Sequence, residues 1–147
     1  LGNARIFRGN QHQSRTGAGP HMNLVDSSAW LEYLADGPNA EHFSEPLIDI
    51  DNLIVPTICI YEVFKAVSRQ RSEDAALQAV ALMKQGTTVH LTDDLALQAA
   101  KISLEYKIPM ADSIILATVR AHEAVLWTQD QDFKDIKDVK YFPKKSK

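Results

Sequence analysis

Hydrophobic positions along this chain fall into short runs separated by longer amphipathic stretches. Met22-Asn23-Leu24-Val25, Leu53-Ile54-Val55, Thr87-Thr88-Val89-His90-Leu91 and Ala124-Val125-Leu126-Trp127-Thr128 are too short for helices. They are rich in β-branched and aromatic residues and bounded by turn formers, which predicts strands. Val139-Lys140-Tyr141-Phe142 predicts a further strand at a sheet edge.

The intervening segments carry helical spacing. Ala29 to Leu34 reads as a helix capped by Ser27 or Ser28 and ended by Asp36-Gly37-Pro38. Asn39 to Asp49 is a weaker one, with a break expected at Pro46. Ile58 to Arg71 would bury Ile60, Val63, Phe64 and Val67. Glu73 to Lys84 would bury Leu77, Val80, Ala81 and Met83, and Gly86 would stop it. Thr92-Asp93-Asp94 caps a helix from Leu95 to about Tyr106. Pro109 opens a last one, reaching about Glu123, with Ala111, Ile114, Ile115, Thr118 and Val119 on its apolar face. Short apolar strands alternating with helices predict an α/β domain with a mainly parallel sheet. Sites in such sheets form beyond the carboxyl ends of the strands, at a topological switch point.

Acidic residues stand at those strand ends. Asp26 follows the first strand, and Asp130 and Asp132 follow the fourth; Asp112 opens an otherwise apolar helix and Glu62 lies in another. Each has an ordinary reading beside the chemical one. Asp26 and Asp112 suit helix starts, Glu62 suits a solvated surface paired with Lys65, and Asp130 and Asp132 suit a turn. Asp93 and Asp94 are assigned to capping. Taken together, gathered carboxylates repel and need a cation or raised pKa values to coexist. Oxygen donors without a matching set of histidines or cysteines suit Mg²⁺, with Mn²⁺ as a substitute, rather than zinc. Such a site supports phosphodiester hydrolysis, with one or two ions. The histidines at 42, 90 and 122 are scattered, and no Gly-rich phosphate loop is seen in residues 22–147.

Length changes the picture little: 147 residues make one domain with a sizeable core. No apolar run approaches the roughly 18 residues that cross a membrane. The single Cys59, within Thr57-Ile58-Cys59-Ile60, reads as a core residue, and a reducing cytoplasm is the expected location. Charge changes more. Residues 1–21 hold four of the six glycines and three arginines but no acid, and Gly19-Pro20-His21-Met22 resembles a cleavage scar before a start codon. They are read as an expression-vector leader, with a domain over 22–143 and a basic tail over 144–147. Without the leader, 13 basic face 19 acidic residues, a net charge of −6 rather than −3. A chain this acidic has no global attraction for nucleic acid, so any such binding needs local cations. Lys65, Arg69 and Arg71 after Glu62, and Lys134, Lys137 and Lys140 after Asp132, are the candidates, each also suited to a plain solubilising role.

Four segments together resemble the PIN-domain ribonucleases, specifically the VapC-type toxins of VapBC toxin–antitoxin systems. They are Asn23-Leu24-Val25-Asp26-Ser27-Ser28, Ile60-Tyr61-Glu62-Val63, Ala111-Asp112-Ser113-Ile114-Ile115-Leu116-Ala117-Thr118, and Trp127-Thr128-Gln129-Asp130-Gln131-Asp132-Phe133. The resemblance implies a three-layer α/β/α sandwich with a parallel sheet of four or five strands. It implies a Mg²⁺-dependent endoribonuclease whose catalytic and metal-binding acids are Asp26, Glu62, Asp112 and Asp130, with Asp132 as a further metal ligand. Ser27 and Thr128 would support them by hydrogen bonds. It also implies RNA as substrate, a VapB-like antitoxin as partner, and a homodimer. Ser113 departs from the alanine common after the third acid. The competing readings are a PIN-like module that has lost its chemistry and acts through protein contacts, and, ranked last, an aspartyl-phosphate enzyme using Asp26.

Overall fold

The computed structural model describes residues 21–146. The leader expected over residues 1–21 therefore falls, His21 excepted, outside the described residues, as does Lys147 of the tail.

The strands are β1 (Asn23–Val25), β2 (Leu53–Pro56), β3 (Thr87–Val89), β4 (Val125–Thr128) and β5 (Val139–Tyr141). All pair in parallel, in the order β3-β2-β1-β4-β5. Leu24 lies in register with Ile54 on one side and Leu126 on the other. All of β2 and the last three residues of β4 are buried. Since successive residues point to opposite faces, both faces of the central sheet are covered, as a parallel sheet requires. The covering helices are α1 (Ser27–Leu34), α2 (Ala40–Ile48), α3 (Thr57–Gln70), α4 (Glu73–Met83), α5 (Asp93–Tyr106) and α6 (Met110–Ala121). The fold is the expected α/β arrangement, with the upper expected strand number, five, and β5 at an edge. Leu24, Val25, Ile54, Val55, Ile115, Leu126 and Phe133 form its nearly water-free centre. Each large side chain so buried stabilises the fold by roughly 1.5–3 kcal/mol relative to exposure.

Local departures have identifiable causes. Asp26, not Ser27 or Ser28, caps α1, accepting from the Ala29 amide at 3.0 Å. Pro46 does not break α2, which continues to Ile48. The proline sits in the last turns, where one backbone hydrogen bond is lost while its ring is buried. Thr92 caps α5 by accepting from the Leu95 amide, which leaves Asp93 and Asp94 as first-turn acids facing the helix dipole. On α4 the buried stripe is Ala76, Ala79 and Met83, while Leu77 is exposed. Small residues suffice there because α4 lies close along α3. On α3, Cys59, Val63 and Ala66 are the buried positions and Ile60 and Val67 are half-buried. Gly86 is needed for close approach, since a Cβ there would meet the Leu53 carbonyl oxygen at 2.9 Å. Among the described residues no helix is long and apolar enough to cross a membrane.

The chain runs from β1 outward to β2 and β3, then returns to place β4 on the other side of β1. That reversal opens a crevice beyond the carboxyl ends of β1 and β4, where Asp26 and Asp130 stand.

Candidate active site

A cleft of about 340 Å³ occupies this crevice, and its lining includes Asp26, Glu62, Asp112 and Asp130. The acids arrive from four segments: the β1–α1 junction, the second turn of α3, the first turn of α6, and the residues after β4. Leu31 and Ile115 contribute apolar wall.

Asp26 is 2% exposed and fully engaged. Its Oδ2 accepts from the Thr128 hydroxyl at 2.7 Å, and its Oδ1 from the Ser28 hydroxyl at 2.8 Å and the Ala29 amide. Burial pushes its carboxyl up to about 6, against these hydrogen bonds, and the charge of Asp130 adds to the rise. Thr128 Oγ1 also accepts from the Asp130 amide at 2.9 Å. One hydroxyl therefore ties the end of β1 to the turn after β4. On the other wall, the Ser27 hydroxyl donates to Glu62 Oε1 at 2.6 Å, fixing the glutamate of α3 against the start of α1. Glu62 is thus held by serine, while Lys65 places its ammonium 5.6 Å from the centre of the Tyr61 ring.

Asp112, Asp130 and Asp132 each offer a carboxylate oxygen, and these atoms lie within 4.8 Å of one another. Asp112 is half-buried, and its carboxyl is pushed up to about 8. Burial is the largest cause, followed by the charge of Asp130, a hydrogen bond shared with Asp132, and the charges of Asp132 and Asp26. Asp132 is exposed and takes no part in lining the cleft, but its amide donates to Asp130 Oδ1 at 2.9 Å. An anionic, all-oxygen donor set in which the charges of Asp130 and Asp132 raise the Asp112 carboxyl fits a hard divalent cation, which would relieve that repulsion. Ser113 is buried and bonds back to the Met110 carbonyl, so the departure from alanine is absorbed within the helix.

The basic candidates divide. Lys65 and Arg69 line the acid cleft. Arg71 lines an apolar groove between α1, α3 and α4, Lys137 a separate hollow near Arg120, and Lys140 lies 4.5 Å over the Trp127 ring. Lys134 is exposed after the turn that carries Asp132. None of His42, His90 and His122 lines the cleft. Two further residues belong to the site in ways that local sequence does not indicate. Ser28, whose position suits a cap, donates instead to Asp26, and Tyr61, 57% exposed, lines the cleft beside Glu62. The position of Tyr61, four residues before Lys65 and eight before Arg69, was the available signal.

A family model for the PIN domain matches residues 24–139. The chain belongs to the PIN-domain family. The match runs from within β1 to the first residue of β5 and includes Asp26, Glu62, Asp112, Asp130 and Asp132. The fold of this chain is also similar to that of several solved structures. A chain from a toxin–antitoxin complex of Klebsiella pneumoniae superposes with a TM-score of 0.69 at 22% identity, covering 82% of this chain and 98% of the other. The Mycobacterium tuberculosis toxin VapC20, described as cleaving the sarcin-ricin loop, gives 0.66 at 20% identity, covering 80% and 96%. A chain from DNA-bound VapBC of Salmonella typhimurium gives 0.66 at 11% identity, covering 84% and 98%. At these identities the likeness to this PIN domain is one of fold. No curated protein gives a significant sequence match.

Proposed function

We propose that this PIN domain is a Mg²⁺-dependent endoribonuclease, the toxin of a VapBC-type pair. The observation that carries the reading is the convergence of Asp26, Glu62, Asp112 and Asp130, from four separated segments, on one cleft at the switch point of the sheet. A cleft assembled from so many segments, with two carboxyls held above their ordinary range, has the character of a functional site.

In this reading Asp112 and Asp130 are the central ligands, Asp132 closes the site from the solvent side, and Asp26 and Glu62 complete it from β1 and α3. A bound Mg²⁺, or Mn²⁺ in its place, supplies a water of lowered pKa and neutralises charge developing on the phosphate. The remaining work belongs to the chain. Thr128 and Ser28 hold Asp26 in one orientation, and Ser27 does the same for Glu62, so the acids need no rearrangement when charge arrives. Leu31 and Ile115 lower the local polarity and strengthen every charge interaction in the cleft.

VapBC complexes among the similar structures support a VapB-like antitoxin as partner, whose cationic residues would find the acids ready acceptors. A homodimer and a cytoplasmic setting complete the proposal. The test is cleavage of a panel of single-stranded and structured RNAs by the purified chain in Mg²⁺, in Mn²⁺ and in chelator, beside Asp112→Asn. Metal-dependent cutting that disappears in the variant is expected. Absence of both cutting and divalent-metal binding would instead favour a PIN-like module acting through protein contacts.

A further inference from the structure

Asn39 holds the position that caps α2, a place where asparagine ordinarily accepts a hydrogen bond from the first helix amides. Its side chain makes no such bond. It is fully buried, and its Nδ2 donates to Gln129 Oε1 at 3.1 Å and to the Pro143 carbonyl at 2.9 Å. Its Oδ1, also buried, has no partner among the described residues. Two local preferences are set aside at one residue, a cap forgone and an acceptor left unmet. A conflict of that kind points to a demand from elsewhere in the fold.

The demand comes from the turn after β4. Gln129 is 7% exposed and stands between Thr128, which holds Asp26, and Asp130, which lines the acid cleft. The backbone is still extended at Asp130, with φ −87° and ψ 120°, so alternate side chains point to opposite sides. Thr128 and Asp130 serve the cleft, and Gln129 points away from it toward the start of α2. Asn39 is itself braced, its amide donating to Glu32 Oε2 at 2.7 Å. Gly37 leaves room for that carboxylate, which a Cβ at position 37 would strike. Glu32 belongs to α1, the helix that Asp26 caps. The contacts therefore close a ring, from Asp26 along α1 to Glu32, then through Asn39, Gln129 and Thr128 back to Asp26.

We propose that Asn39 is a positioning residue for the metal site, gripping Gln129 from behind so that Asp130 and Asp132 keep their carboxylates beside Asp112. The proposal rests on the reading of the acids as a divalent-metal site and adds to it a residue from outside the cleft. One grip, at Thr128, leaves the turn free to pivot about that point. A second grip on the opposite side of the backbone removes the pivot. The pivot matters because the carboxylates repel and their outward path is open, Asp132 being exposed. A turn held on both sides keeps the donors together before the cation arrives, so binding need not first order them.

Mn²⁺ alone is the probe, titrated calorimetrically into the full chain without RNA. Asn39→Leu keeps roughly the volume and removes the donor. It is expected to weaken Mn²⁺ binding about tenfold, on the scale usual for side chains that orient ligands. Gln129→Met removes the acceptor and should do the same, and it carries the test if Asn39→Leu does not fold. The double variant should lose no more than either single change, because both cut one link. Without metal, hydrogen exchange at the Asp130 amide, which donates to Thr128 Oγ1, should quicken about tenfold in each variant. Phe142→Ala is the control, since it lowers stability on the Pro143 side and should leave Mn²⁺ affinity unchanged. The clamp is overturned if the folded variants take up Mn²⁺ as the native chain does, if the Asp130 amide exchanges no faster, or if the two losses add. It is overturned too if Phe142→Ala, at equal loss of melting temperature, weakens Mn²⁺ binding as much. Parallel cleavage assays separate the two claims. If RNA is cut and Asn39→Leu leaves Mn²⁺ affinity untouched, the clamp fails and the nuclease stands. If Mn²⁺ affinity falls as expected and no chain cuts RNA, the clamp stands and the nuclease fails; a native chain that takes up no Mn²⁺ overturns both.

Discussion

Two regions meet at Thr128 and are built on opposite principles. On one side, its backbone carbonyl accepts from the Phe142 amide at 2.9 Å, extending β5 past Tyr141. There Phe142 stacks on His42 at 4.4 Å, meets Phe43 edge-on at 5.5 Å and lies nearly parallel to Trp127 at 6.2 Å. Asn39 Nδ2 donates to the Pro143 carbonyl at 2.9 Å and to Gln129 Oε1 at 3.1 Å, clasping the chain end to the start of α2. Every one of these contacts is attractive. On the other side, the Thr128 hydroxyl serves the acid cleft, where carboxylates repel and burial resists their charge. The aromatic margin is relaxed, whereas the cleft is held against its own electrostatics by the fold around it. A local conflict of that kind marks the place where a protein keeps its chemistry.

The contrast can be broken most sharply at Asp112. Asp112→Asn should lower metal-dependent RNA cleavage by at least about 100-fold, since one fixed anionic ligand is removed from the reacting centre. In chelator at pH 8 the same variant should melt several degrees higher than the native chain, because a repelled carboxylate is gone. Loss of activity with loss of stability would contradict this account of the cleft.

Thr128→Val keeps the volume and removes the hydroxyl shared by Asp26 and the Asp130 amide. A 10- to 100-fold loss of cleavage or of Mg²⁺ affinity is expected, the usual scale for a residue that orients ligands. Isothermal titration with Mg²⁺ checks it. At the relaxed margin, Phe142→Ala should cost about 2 kcal/mol, less than a fully buried phenylalanine because this ring is half-buried. Urea unfolding measures it, and cleavage per folded molecule should stay within about twofold.

The pH dependence of stability sharpens the comparison further. Asp26 and Asp112 ionise near the ordinary aspartate value when unfolded but near 6 and 8 when folded. Between those limits the folded chain holds protons that the unfolded chain has released, so stability falls as pH rises from about 4 to about 8. Saturating Mg²⁺ should offset the fall, by an increment in melting temperature that grows over the same range. Phe142→Ala should shift the whole profile downward without changing its slope. The smallest effect is expected of Ser27→Ala, a few-fold loss in cleavage as Glu62 loses the Ser27 hydroxyl that donates to it at 2.6 Å.

Much of the molecule was readable from hydrophobic spacing, because burial imposes periods of 2 and 3.6 on any chain that folds this way. The five strands, the six helices and the placement of acids after β1 and β4 follow from that pattern. Where reading failed, the outcome turned on neighbours rather than on local preference. Of the capping readings the sequence left open for α1, Ser27, Ser28 or Asp26, the cap fell to Asp26 because Thr128 and Ser28, from different elements, hold its carboxylate there. Pro46 stayed helical because its ring is buried. Leu77 remained outside because alanines make the close packing of α4.

By itself the sequence determined the fold class, the strand ends and the set of acids, since these depend on residue type and order. Tertiary structure alone decided which charges share a space. It brought Lys65 and Arg69 to the acids and left Arg71, Lys137 and Lys140 elsewhere. It put the carboxyl oxygens of Asp112, Asp130 and Asp132 within 4.8 Å of one another. Coulomb repulsion and desolvation depend on distance through space and on what excludes water, and neither is a property of position along the chain.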